Sequence, residues 1–132
     1  MVLMEDKACL DSDFIISYLK GNKDALIWVK ENSNIELATT TINVFELYYG
    51  EYKNRTLDEV SVLDYFLNDI TILDINLKIA KKAGENAAML EKEGRMLEFK
   101  DILIGTASVY YGYPLKTNNI KYLQRIPDIK LI

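Results

Sequence analysis

At 132 residues, with 49% hydrophobic and 27% charged residues and only six Gly and two Pro, the chain is long enough to bury a core and too apolar to be disordered. No apolar run reaches the roughly 18 residues that span a membrane, Met1 to Lys7 lacks the long apolar core of a signal peptide, and the lone cysteine, Cys9, cannot form an intrachain disulfide, so the expectation is a cytoplasmic protein. The net charge of −4 argues against nonspecific nucleic-acid binding, though a local acid cluster can supply that imbalance, and the absence of histidine excludes His-based triads, His-dependent ribonuclease chemistry and His-ligated zinc.

In chain order, Lys7-Ala8-Cys9-Leu10 reads as a short apolar strand that ends at Asp11, with a helical pattern starting almost at once. A buried parallel strand delivers a polar group in this way to the carboxyl edge of its sheet, where open α/β sheets bind ligands. Asp11 is therefore expected, half buried, at the lip of a cleft. Equally, Ser12 or Asp13 can cap the helix and Asp11 can be a turn residue. Phe14 to Lys20 forms that helix, closed by Gly21-Asn22, and Lys23-Asp24 starts a second one through Trp28 and Val29. Ile35 to Thr39 is a second strand, Thr40-Thr41 can cap a helix over Ile42 to Tyr52, and Leu57 to Leu67 supplies its partner in a helical hairpin. Ile70 to Leu73 is a third strand. Asp74 is expected to cap a long helix with apolar positions at Ile75, Ile79, Ala83, Ala87 and Leu90, ended by Gly94. Asp101 opens a helix, Ile102 to Ala107, that is apolar nearly all round and hence buried. Leu115-Lys116-Thr117 is a fourth strand, followed by Asn118-Asn119, a turn of helix and a last short strand around Ile129 to Ile132. Strands alternating with helices give an α/β fold with a parallel sheet. With no repeat and no long linker, the expectation is one domain over residues 1–132.

Two further acids are out of place in this pattern. Glu46 stands between apolar residues in Val44-Phe45-Glu46-Leu47-Tyr48-Tyr49, where a buried unpaired carboxylate costs several kcal/mol, of order its desolvation penalty. The alternative is a narrow solvent stripe shared with Asn43 and Gly50. Asp101 heads a buried helix, where a dipole-favoured acid is the plain alternative. Thr117-Asn118-Asn119 ends a strand, as an edge site or an Asn-rich turn. Jointly, Asp11, Glu46, Asp101 and a strand-end amide can face one edge of one sheet. Three carboxylates that close repel unless a cation sits among them, and oxygen-only ligands favour Mg²⁺ or Mn²⁺ over zinc.

Through Cys9-Leu10-Asp11-Ser12-Asp13-Phe14-Ile15-Ile16, Thr41-Ile42-Asn43-Val44-Phe45-Glu46-Leu47-Tyr48-Tyr49-Gly50, Asp101-Ile102-Leu103-Ile104-Gly105-Thr106-Ala107 and Thr117-Asn118-Asn119, the chain resembles PIN domains, and more narrowly VapC-type toxin ribonucleases. The resemblance implies a three-layer fold, a parallel sheet flanked by helices with a helical hairpin, carrying a metal-dependent acidic cleft that hydrolyses RNA phosphodiester bonds. It implies Asp11, Glu46 and Asp101 as the acids that hold Mg²⁺ or Mn²⁺, and Asn119 at the fourth position. A further acid frequent in the family is absent here, where Lys121-Tyr122-Leu123 stands, which leaves a second metal site in doubt. Glu46 would position or deprotonate a water or help hold the metal, Ser12 and Thr117 would support the acids, and Lys116, Lys100 and Arg95 could attract phosphate. The resemblance also implies a homodimer that binds a small antitoxin protein, with the tyrosine-rich segment Ile42 to Leu67 offering apolar contact area.

Two other readings remain open on the sequence. Leu10-Asp11-Ser12-Asp13 also resembles the motif of haloacid-dehalogenase-type phosphatases, with Asp11 as nucleophile, Asp13 as acid and Lys116 as their lysine. A non-catalytic protein-binding module is the third reading.

Overall fold

The computed structural model describes residues 6–132; all but the last two residues of the stretch Met1 to Lys7 lie outside it. Its elements are β1 (Lys7–Leu10), α1 (Ser12–Leu19), α2 (Lys23–Glu31), β2 (Glu36–Thr40), α3 (Thr41–Asn54), α4 (Val60–Asn68), β3 (Thr71–Leu73), α5 (Leu77–Lys92), α6 (Phe99–Tyr111), β4 (Leu115–Lys116) and α7 (Ile120–Leu123).

The four strands form one sheet in the order β3-β2-β1-β4, every pairing parallel, with Cys9 opposite both Ala38 and Leu115. Successive side chains of a strand point to opposite faces. Cys9, Ala38, Leu73 and Leu115 accordingly pack under α5 and α6 with Leu90, Ile102 and Ile104. Leu10 points the other way, into a second core with Phe14, Ile15, Leu47 and Leu63 from α1, α3 and α4. Helices therefore cover both faces, as an all-parallel sheet requires. The chain winds outward from β1 through β2 to β3 and then returns to add β4 on the far side of β1. The strand order reverses between β1 and β4, and a crevice opens at their carboxyl ends.

The expected elements are present, with instructive shifts at their ends. Helix α1 is capped by Asp11 itself, whose carboxylate accepts the Ser12 N–H, and not by Ser12 or Asp13. Thr40 caps α3 in a reciprocal box with Asn43. Helix α5 starts three residues after Asp74, because Asn76 takes the capping role by accepting the Ile79 N–H at 2.9 Å. Asp74 instead offers its carbonyl to the Tyr111 hydroxyl at 2.6 Å. Helix α4 starts at Val60 rather than Leu57. The Leu57 N–H is held by the Glu51 carboxylate at 2.8 Å, and Asp58 sits at φ 62°, a left-handed conformation incompatible with a helical turn there. The last strand shrinks to a single bridge between Leu131 and Leu115. In α6 the lack of a side chain at Gly105 lets Ile126 approach closely; a Cβ there would lie 2.8 Å from its Cγ1. Among the described residues no helix is long and apolar enough to cross a membrane.

Candidate active site

The end of β1 places Asp11 in the crevice between β1 and β4, 7% exposed. A carboxylate so buried needs donors, and three neighbouring segments supply them. Its Oδ1 accepts the Ser12 N–H at 2.8 Å and the Asn43 side-chain amide at 2.9 Å, and its Oδ2 accepts the Thr117 hydroxyl at 2.8 Å. Burial pushes the Asp11 carboxyl up, the three donors pull it back, and the Glu46 charge adds to the rise.

Asn43 reaches Asp11 because its other end is fixed. Its amide oxygen accepts the Thr40 N–H at 3.2 Å and the Thr40 hydroxyl at 2.8 Å, and its NH₂ also donates to Ser12 Oγ at 2.9 Å. Ser12 Oγ in turn donates to Glu46 Oε1 at 2.9 Å. One turn beyond Asn43 on α3, Glu46 projects to the same edge. Its second oxygen, Oε2, is 2.9 Å from the Lys100 ammonium. On the β4 side, Thr117 also accepts the Asn119 N–H at 3.0 Å, which sets the start of α7. The ends of β1, β2 and β4 are thus tied together through Asp11.

Asp101 lies in the first turn of α6 and is partly buried. Burial first, and the Asp11 charge second, push its carboxyl up to about 6, while Lys100 pulls the other way. Asp13 is also raised, by burial and by Asp11, and accepts the Asn118 N–H at 3.2 Å. A cavity of about 410 Å³ opens beside Ser12, Asp13 and Glu46. A second, of about 340 Å³, is lined by Asp101, Asn119, Leu97 and Tyr122. Glu46 and Asp13 thus face the first cavity and Asp101 the second.

The donor set suits a hard divalent cation. It is oxygen throughout, and the ionised forms of Asp11 and Asp101 are disfavoured in a way that a nearby cation would relieve. Each carboxylate oxygen has two lone pairs, so Asp11 Oδ2 keeps one free after the Thr117 bond. Among the described residues, however, no three acidic side chains are already gathered around one point. Glu46 is turned to Ser12 and Lys100 instead.

Asp11, Glu46 and Asp101 are brought to one edge with Asn119 alongside, and so is Lys100. Two of the expected cations are elsewhere. Lys116 Nζ lies 5.5 Å and 5.4 Å from the ring centres of Phe14 and Trp28, and Arg95 pairs with Glu93 at 3.3 Å. The phosphatase reading loses its cation on the same geometry, since its lysine, Lys116, is turned toward Phe14 and Trp28. Asn43 rules out the solvent-stripe alternative and is the residue of this site that sequence reasoning missed. It is fully buried, not part of a solvent stripe, and the signal was its place three residues after Thr40, where a capping box puts its N3 side chain.

A PIN domain family model matches residues 8–128. Ribonuclease VapC2 of Rickettsia felis is 34% identical over 99 residues, 74% of each chain, and Ribonuclease VapC2 of Haemophilus influenzae is 31% identical over 122 residues, 91% of this chain and 92% of that one. A crystal structure of VapBC2 from Rickettsia felis bound to a DNA fragment from its promoter superimposes with a TM-score of 0.85 at 28% identity, over 96% of this chain and 97% of that one. With this match over nearly its whole length and an acid-lined crevice at the switch point of its sheet, the chain belongs to the PIN-domain family and, within it, to the VapC ribonucleases.

Proposed function

We propose that this chain, as one PIN-type unit over residues 1–132, is a metal-dependent endoribonuclease that hydrolyses RNA phosphodiester bonds, and that it is the toxin of a type II toxin–antitoxin pair acting in the cytoplasm. The observation that carries this is Asp11, a buried carboxylate delivered to the β1/β4 crevice with Glu46 and Asp101 converging on the same edge. The relatives named above are ribonucleases, and the superimposed VapBC2 structure supports a small antitoxin protein as partner.

Asp11, Asp101 and Glu46 would hold Mg²⁺ or Mn²⁺. Such an ion, when bound, neutralises phosphate charge and makes a water more acidic. The protein's own share is orientation and proton handling. Ser12, Asn43 and Thr117 lock the Asp11 carboxylate in one rotamer, so its free lone pair has a fixed direction. The Glu46 carboxylate, anchored by Ser12, accepts a proton from the attacking water or helps hold the ion. The Asn119 side chain, beside Asp101, orients a phosphate oxygen by hydrogen bonding. No acid stands in α7, where Lys121-Tyr122-Leu123 runs, which favours a single ion.

The α3–α4 hairpin exposes Phe45 (68%), Tyr52 (71%) and Tyr65 (77%), a surface suited to a homodimer partner or an antitoxin. The function is tested by incubating the purified protein with structured RNAs in Mn²⁺ and in EDTA. Cleavage in Mn²⁺ that Asp11→Asn, Glu46→Gln and Asp101→Asn each abolish supports it; cleavage that persists in EDTA overturns it.

A further inference from the structure

We propose that Lys100 is a built-in counterion that holds Glu46 in the metal-free protein and competes with the divalent cation for it, so that cation entry and release of the Lys100 ammonium are one exchange. The inference rests on the metal-site reading above. It starts from a mismatch in the geometry. Glu46 reaches the site edge, yet both its oxygens are engaged, Oε1 by the Ser12 hydroxyl at 2.9 Å and Oε2 by Lys100 Nζ at 2.9 Å. Among the described residues three acids are not gathered around one point. Lys100 comes from α6, one residue before Asp101, and crosses to α3 to reach Glu46.

Like charges at close range disfavour one another, and an ammonium among them offsets that cost when no other cation is there. The arrangement makes Lys100 a displaceable stand-in. Its side chain is 47% exposed, so its removal into solvent meets no packing barrier. Glu98 offers it a second carboxylate at 3.8 Å on the outer side, so the ammonium keeps a partner after release. Ser12, by contrast, is fixed by Asn43 and keeps its hold on the other Glu46 oxygen throughout. Lys100 is therefore a positioning residue acting through Glu46. It sets how tightly the cation binds.

The test is calorimetric titration of MnCl₂, without RNA, into the wild type and into Lys100→Gln, Lys100→Met, Lys100→Arg, Lys116→Gln and Asp11→Asn. Removing the competing charge should tighten Mn²⁺ binding roughly two- to fivefold in both Lys100→Gln and Lys100→Met, on the scale of a half-exposed ion pair. Lys100→Arg should stay near wild type, and Lys116→Gln, which removes an equal charge stacked over Phe14 and Trp28, should not change affinity. Wild-type binding that is lost in Asp11→Asn but unchanged or weakened in Lys100→Gln and Lys100→Met overturns this inference and leaves the metal site standing. A gain of equal size in Lys116→Gln overturns it too, by reducing the effect to net charge. A wild type that takes up no Mn²⁺ overturns the metal site and this inference with it.

Discussion

Replacing Asp101 by Asn separates a binding site from a merely structural acid without any need for the substrate. Burial and the Asp11 charge raise the Asp101 carboxyl from 3.8 to about 6. At full weight that difference amounts to about 3 kcal/mol at neutral pH, at about 1.4 kcal/mol per tenfold change in proton affinity. Asp101 is only partly buried, and solvent screening reduces the penalty to about 1 kcal/mol. An acid in the first turn of a helix recovers about 0.5 kcal/mol from the helix dipole, which Asn forgoes. Asp101→Asn should therefore be about 0.5 kcal/mol more stable than wild type at pH 7 in EDTA. A group whose folded pKa is raised contributes full stability below its unfolded value, near 4, and loses it as pH climbs through about 6. The two proteins should converge near pH 4 and diverge by pH 7. Mn²⁺ at a hundred times its Kd should stabilise the wild type by about 2.7 kcal/mol through mass action, and the variant should lose most of that gain. Thermal melts at low ionic strength, at both pH values and with and without Mn²⁺, make the comparison. If Asp101→Asn is instead destabilised by about 1 kcal/mol or more at pH 7 and the wild type ignores Mn²⁺, Asp101 is an ordinary helix-start acid and the reasoning fails.

Three other outcomes are expected. Asn43→Ala removes one donor from the buried Asp11 carboxylate and the α3 capping box together, and urea titration should show a loss of about 2–3 kcal/mol at pH 7; a loss under 0.5 kcal/mol would mean that water replaces it freely. Gly105→Ala forces a methyl against Ile126, which is itself 2% exposed and cannot step aside, so the same titration should show a loss of about 1–3 kcal/mol. Tyr52→Ala and Tyr65→Ala remove exposed rings from the hairpin and should weaken self-association or antitoxin binding by sedimentation and calorimetry, while leaving the melting temperature nearly unchanged. If both associations are indifferent to the two substitutions, the contact surface lies elsewhere.

Much of this architecture could be read from local patterns. The run Ala8-Cys9-Leu10 before Asp11 announced a buried strand with a polar tip, and it is one. The apolar helix after Asp101 announced a buried α6, and Gly105 in it proved to be a packing contact. What escaped were features decided by competition between neighbours. Asp74 and Asn76 both have side chains able to cap a helix, and only tertiary contacts, among them the Tyr111 hydroxyl on the Asp74 carbonyl, assign the cap to Asn76. Three cations lay near the acids along the chain, Arg95, Lys100 and Lys116, yet proximity in sequence says nothing of direction. Lys116 alternates to the aromatic side of β4, whereas Lys100 reaches across to α3. Asn43 was hidden for the same reason. A polar residue on an apolar helix looks like a surface residue until the strand-end acid it binds, 32 positions earlier, is folded against it.

The most direct test of the central claim, that these three acids hold a cation used to cut RNA, is cleavage of a structured RNA under single-turnover conditions by wild type and Asp11→Asn. Each is assayed in Mn²⁺ and after chelation by EDTA. The expected result is cleavage by wild type in Mn²⁺, none in EDTA, recovery when Mn²⁺ is restored in excess, and none from Asp11→Asn under any condition although it melts as a folded protein. Wild-type cleavage that continues in EDTA, or an Asp11→Asn variant that cuts at the wild-type rate, would contradict it.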